Sequence, residues 1–101
     1  DLGHILENVV YLELARRGGA IYVGKVGDAE IEFVVIKGEY KEYYQVSLSV
    51  RDENTMKREL APLQAIQDHY PKYLLTMDND PEVLHDGIRQ IYVLDWLVEG
   101  D

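Results

Sequence analysis

The chain contains no cysteine. That absence rules out disulfides, thiolate nucleophiles and cysteine-held metals, and it is compatible with a reducing compartment, so the cytoplasm is the expected location. Long hydrophobic runs are missing as well. No apolar stretch approaches the ~20 residues of a membrane span, and no charged-then-apolar leader opens the chain, so no membrane partner is expected. Positive charge is scarce: 10 Lys and Arg stand against 19 Asp and Glu, for a formal net charge of -9. Affinity for nucleic acid rests on cations that neutralise phosphates, so such a module is a poor DNA or RNA binder by itself. A nucleic-acid role would need a metal ion or a basic partner domain. An initiator Met is also lacking while a helical pattern begins by residue 3, which is the expectation for a piece of a longer protein.

What is present suits one globular domain over residues 1–101. At this length folding buries roughly 60 to 70% of the unfolded chain's surface, and 47% hydrophobic with 29% charged residues is an ordinary globular composition. Residues 3–17 read as a helix with Ile5, Leu6, Val9, Val10, Leu12 and Leu14 on a broad apolar face and Arg16-Arg17-Gly18-Gly19 as its stop. Segments 21–26, 30–36 and 40–50 read as a three-stranded meander turned at Gly27-Asp28 and Lys37-Gly38-Glu39. Asp52 is the expected N-cap of a second helix reaching about Tyr70, kinked at Pro62 and ended by Pro71. A strand at 73–77, a loop Asp78-Asn-Asp-Pro81, a strand from about Ile88 to Leu94 and a short helix capped by Asp95 complete the order. The fold class is α/β, αβββαβ followed by βα.

Three polar positions interrupt this apolar pattern: Glu7 in the first helix, Glu32 in Glu30-Ile-Glu-Phe33, and Gln45 with Ser47 on the third strand. Each has a plain structural explanation. A Glu at the edge of an apolar stripe is commonly paired or partly exposed. Glu32 alternates with Ile31 and Phe33, and Gln45 and Ser47 alternate with Tyr44, Val46 and Leu48, as on any strand with one wet face. His4, one turn before Glu7, has no second His nearby and reads as a capping-region residue. Glu59, beside the stripe of the second helix, either joins a carboxylate cluster or favours the helix's first turns. The eight Tyr can stack on bases, or line sheet edges with their hydroxyls in water.

The stretches Gly3-His-Ile-Leu-Glu-Asn-Val-Val-Tyr-Leu-Glu-Leu14, Tyr22-Val-Gly-Lys-Val-Gly-Asp-Ala-Glu-Ile-Glu-Phe33, Tyr44-Gln-Val-Ser47 and Tyr70-Pro-Lys-Tyr-Leu-Leu-Thr-Met-Asp78 carry a resemblance that spans nearly the whole chain. The sequence resembles the uncharacterised C-terminal domain attached to bacterial and archaeal AAA-type ATPases, a member of the PD-(D/E)XK nuclease-like superfamily. The resemblance implies a restriction-endonuclease-like core, a central mixed sheet flanked by helices, and an upstream ATPase domain as partner, with DNA reached through the full-length protein and homo-oligomers allowed. In the active pattern a helix Glu, a strand Asp and a Glu-x-Lys hold Mg²⁺ or Mn²⁺ and align a water. By position Glu7, Glu32 and Gln45-Val46-Ser47 fall on these places, so the catalytic positions are Glu7, Glu32, Gln45 and Ser47 and the weak metal ligands Glu7, Glu32 and Gln45. The match is degenerate. Glu32 is one methylene longer than Asp, Gln45 lacks a charge, and Ser47 lacks the cation, whose loss costs about 3 to 4 kcal/mol of transition-state stabilisation.

No displaced lysine restores it from the sequence. Lys41 shares parity with Gln45 but lies about 13 Å away along an extended strand. Lys37 has the wrong parity; Lys57 or Arg58 near the start of the second helix would be the better donor, but their offsets from Met56 and Leu60 put Arg58 on the outer side, and neither fills the place. The expectations are therefore an accessory or interaction domain of an ATPase with no cofactor in isolation, or else an Mg²⁺- or Mn²⁺-dependent DNA nuclease, with a strand-rich surface that serves only self-assembly of the parent protein as the third alternative. Glu7, Glu32 and Gln45 are expected to converge at one edge of the sheet.

Overall fold

The structure is a computed structural model and describes residues 1–100. Helix α1 spans Leu2–Arg17. The Asp1 side chain accepts the His4 backbone N–H, and Gly18 closes the helix at φ 90, where a side chain would be strained. His4 thus sits in the first turn, and its ring pairs with Asp1 rather than with Glu7. Leu6, Val10 and Leu14 form the buried stripe, spaced by one helical turn.

Strands β1 (Ala20–Val26), β2 (Ala29–Lys37) and β3 (Tyr40–Ser47) form the expected antiparallel meander. Helix α2 (Glu53–Gln64) then crosses over to β4 (Lys72–Thr76), which pairs with β3 in parallel. Strand β6 (Ile88–Tyr92) adds to β4 in parallel, β5 (Val83–His85) pairs with β6 antiparallel, and α3 (Val93–Glu99) closes the described chain. The order across the mixed sheet is β1-β2-β3-β4-β6-β5. The architecture is α/β, a six-stranded mixed sheet flanked by helices.

The sheet separates two cores. On one face α1 and α3 bury Val10, Leu14, Tyr44, Leu75, Ile91 and Trp96 together. On the other α2 covers Ile31, Val34, Tyr43, Leu60, Leu63 and Leu74. Tyr44 stacks on Tyr73 with centroids 4.7 Å apart and meets Trp96 edge-on. Arg17 ties α1 to α3: its guanidinium lies 4.1 Å from the Trp96 ring centre and donates to the Trp96 carbonyl.

Four boundaries differ from the sequence expectation. Helix α2 ends at Gln64 rather than near Tyr70; Pro62 lies inside its last turn, where its missing N–H removes the bond to the Arg58 carbonyl, and the helical bonding continues to the Ala65 N–H. Ile66 and Tyr70 still pack on the core from the following turn, held by Asp68, which accepts from the Tyr43 hydroxyl, the Tyr70 N–H and Lys72. Strand β3 stops at Ser47 because Val50 turns its N–H to the Asp78 carboxylate. The stretch after Pro81 contains β5, joined to β6 by Asp86 and Gly87, both at positive φ, the conformation of a two-residue type I′ hairpin turn. Finally, α3 begins at Val93 with Tyr92 as N-cap, so Asp95 lies inside its first turn and the preceding strand ends at Tyr92.

Candidate functional site

The site is created by an irregularity in β2. Strands β1 and β2 pair from Ala20↔Ile36 to Tyr22↔Val34 and resume at Gly24↔Ile31. Val23 on β1 therefore opposes both Glu32 and Phe33, a β-bulge, which bends a strand and re-aims side chains. The consequence is visible in the packing: Ile31 belongs to the α2-side core and Phe33 packs against the α1-side core, although residues two apart on a regular strand share a face.

On the other side of β2 the ladder with β3 runs as far as Phe33↔Tyr44 and stops. Side chains take over beyond it. Gln45 Oε1 accepts the Glu32 backbone N–H at 2.8 Å, and the backbone N–H of Val46 favours the charged form of the Glu32 carboxyl. Gln45 Nε2 donates in turn to the Glu59 carbonyl of α2 at 3.2 Å. Gln45 is buried, and its amide is hydrogen-bonded at both ends, as a buried polar group must be.

Around this junction Glu7 from α1, Glu30 and Glu32 from β2, Gln45 from β3 and Glu59 from α2 line a cavity of about 430 Å³. Among the described residues lining it there is no Lys, Arg or His. Burial first, then the negative charges of Glu7 and Glu59, push the Glu32 carboxyl up to about 8, against a pull downward from the Val46 N–H. Glu59 is raised too, by burial and by Glu7, while the adjacent Arg58 lowers it. At neutral pH Glu32 thus carries a proton, which relieves the repulsion that three converging carboxylates would otherwise build.

Glu7, Glu32 and Gln45 come together as expected, but through the bulge and the parted strands rather than through simple strand parity. Glu59 belongs to the cluster. Sequence reasoning does not single out Glu30 or Val23, although Glu30 stands two residues from Glu32 and that spacing could have pointed to it. Ser47 does not line the cavity; its Oγ donates to the Ser49 carbonyl at 3.0 Å. No lysine replaces it: Lys41 pairs with Ile36 near the far end of β3, and Lys57 lines a separate cavity with Asp78 and His85.

The oxygens that this cavity could offer a hard cation come from Glu7, Glu30, Glu32, Glu59 and the Gln45 amide. Among the described residues no group of three or more His, Asp or Glu is disposed to hold a metal, and Gln45 Oε1 is committed to a backbone donor. Hard cations need several converging anionic oxygens.

A second concavity, about 420 Å³, is almost wholly apolar and runs between α1 and α3, where Leu2, Ile5, Val9, Leu94 and Leu97 face Met77. Leu2 and Ile5 are 67% and 58% exposed there. No helix among the described residues is long and apolar enough to cross a membrane.

No family model matches the chain. No solved structure matches it either. Among curated proteins it is similar to an uncharacterized protein of Haemophilus influenzae, with 42% identity over 94 residues that cover 93% of this chain and 23% of that relative. The chain thus corresponds to a minor part of the length of the relative it matches.

Proposed function

We propose that this chain is a PD-(D/E)XK nuclease-like domain whose chemistry has been lost and which serves as an accessory or interaction module of a larger polypeptide, with an AAA-type ATPase domain as its partner in the same chain. The observation that carries the reading is the acidic cavity itself. It brings a helix Glu, a strand Glu and the amide of Gln45 to one junction, as the superfamily pattern requires, yet its lining has no cation and its amide oxygen is already used. Two features support the accessory role: an apolar groove with exposed Leu2 and Ile5 runs between α1 and α3, and the matching segment is 23% of a longer relative.

The test is cleavage of supercoiled or branched DNA by the full-length parent protein in Mn²⁺. The expected result is no hydrolysis attributable to this domain, with Glu32→Ala leaving the outcome unchanged. Cleavage that disappears in Glu32→Ala would overturn the reading. One observation favours the second reading, a metal-dependent DNA nuclease coupled to the ATPase: Glu7 and Glu59 both raise the Glu32 carboxyl, a repulsion that a divalent cation relieves.

A further inference from the structure

We propose that two copies of this chain join β1 to β1 in antiparallel register about a two-fold axis at Gly24, forming one continuous sheet and setting Lys25 of each copy against the acidic cavity of the other. This inference does not depend on whether the parent protein cleaves DNA.

Strand β1 is an outermost strand of the sheet. Exposed edges are normally guarded by charged side chains, prolines, bulges on the edge strand or extreme shortness. The opposite edge, β5, has only three residues. Strand β1 has seven, Ala20-Ile-Tyr-Val-Gly-Lys-Val26, with no proline and with Lys25 as its single charge in a chain that carries 19 acids. The bulge lies on β2, and Tyr22 and Val23 are 55% and 66% exposed. Such a strand has an open row of backbone donors and acceptors, and its one charge is of the sign that the neighbouring cavity lacks.

Charge selects the register. Ile21 packs with the α1-side core and Val26 with the α2-side core, so Val23 and Lys25 alternate onto the α1 side. A two-fold axis normal to the sheet lets a residue oppose only residues of its own parity, so one residue faces its own copy at the axis; of the central pairs that keep most of β1 paired, on Tyr22, Val23 or Gly24, only the one on Gly24 sets Lys25 opposite Val23. The Gly24 register puts the partner's Lys25 opposite Val23, one strand spacing of ~4.8 Å away. Val23 lines the cavity that holds Glu7, Glu30, Glu32 and Glu59 and no cation. Lys25 faces Glu30 across its own ladder, yet none of the described ion pairs or side-chain hydrogen bonds involves it. At the axis, Gly24 opposes Gly24, so no side chains collide between the two backbones.

Light scattering after size exclusion, at sub-millimolar concentration, is expected to show a dimer. Tyr22→Lys and Lys25→Glu should each raise its dissociation constant at least tenfold with the melting temperature of the fold unchanged. Because the chain has no cysteine, Val23→Cys and Lys25→Cys proteins mixed under oxidation should cross-link with each other in preference to themselves. A monomer throughout this range, or a dimer that survives both charge variants, would overturn the proposal. Preferential self-cross-linking of Val23→Cys would overturn the register and with it the delivery of Lys25.

Discussion

Gln45 Oε1 stands 2.8 Å from the Glu32 backbone nitrogen and accepts its proton, so a side chain occupies the place of a strand carbonyl where β2 and β3 part. Its other end holds the Glu59 carbonyl. The residue aligned with a metal ligand in the nuclease pattern therefore works here as a tie between the sheet and α2. A neutral amide suits this task because it accepts and donates at once, whereas a carboxylate can only accept.

Gln45→Ala should leave the Glu32 N–H without a partner in a largely buried setting, at a cost of about 1 to 3 kcal/mol. Urea unfolding would measure the loss, and hydrogen exchange at the Glu32 amide should accelerate. An unchanged midpoint with unchanged exchange would mean that water substitutes fully for the amide, and that the tie has no structural weight.

Glu32 makes stability depend on pH in an unusual direction. Its carboxyl is raised in the folded state from 4.5 to about 8, so the folded state binds the proton more tightly than the unfolded one. The associated stability is fully present below about 4.5 and is lost as pH rises through about 8. Allowing for partial solvent screening, it amounts to a few kcal/mol, on the order of 3. Glu32→Gln should flatten the melting temperature across this window and exceed the wild type above pH 8. A wild-type melting temperature that climbs between those limits would contradict the protonated state.

The same proton governs metal affinity. Calorimetry on the chain near neutral pH should show weak or no Mg²⁺ or Mn²⁺ binding, because ligands must lose their protons first. Any affinity present should increase as pH passes about 8, where Glu32 ionises. Tight binding at neutral pH that Glu7→Gln abolishes would revive the nuclease reading.

Much of the fold is legible in the sequence because local signals agree with it: the α1 stripe, the two glycine turns of the meander and the Asp52 cap all fall where the pattern puts them. The end of α2 is not, since Ile66 and Tyr70 keep helical spacing while reaching the core by another route. Strand β5 is hidden for a different reason. In the sequence Asp86-Gly87 only precedes the strand expected from about Ile88, whereas two positive φ values make it the turn of a hairpin with three residues on its far side. At the site, the convergence of Glu7, Glu32 and Gln45 is an expectation carried by the resemblance drawn from the sequence, but the means is not. An alternating reading of Ile31, Glu32 and Phe33 cannot reveal a bulge, because a bulge depends on register with Val23 on another strand.

The apolar groove between α1 and α3 should tolerate polar substitution in the isolated chain. Ile5→Gln and Leu94→Gln remove exposed apolar surface without opening the core, since Ile5 and Leu94 are 58% and 47% exposed. Both should shift stability by no more than about 0.5 kcal/mol and reduce the binding of a hydrophobic dye. A large loss of stability would show that the groove is a structural seam.

Under the proposed nuclease-like reading, installing the Asp and Glu-x-Lys of the PD-(D/E)XK pattern with Glu32→Asp, Gln45→Glu and Ser47→Lys should lower stability without producing hydrolysis. The carboxylate introduced in place of the Gln45 amide could not donate to the Glu59 carbonyl while adding a charge beside Glu7 and Glu59. The ammonium introduced in place of Ser47 would offset that charge only by turning away from the Ser49 carbonyl that Ser47 now bonds and by shedding water, at a cost of several kcal/mol. The melting temperature should therefore fall well below that of any single variant. A triple variant that kept its melting temperature and hydrolysed DNA with added Mg²⁺ would mean that the parted strands preserve a working geometry, and that the Gln45 tie replaced the chemistry without reshaping the site.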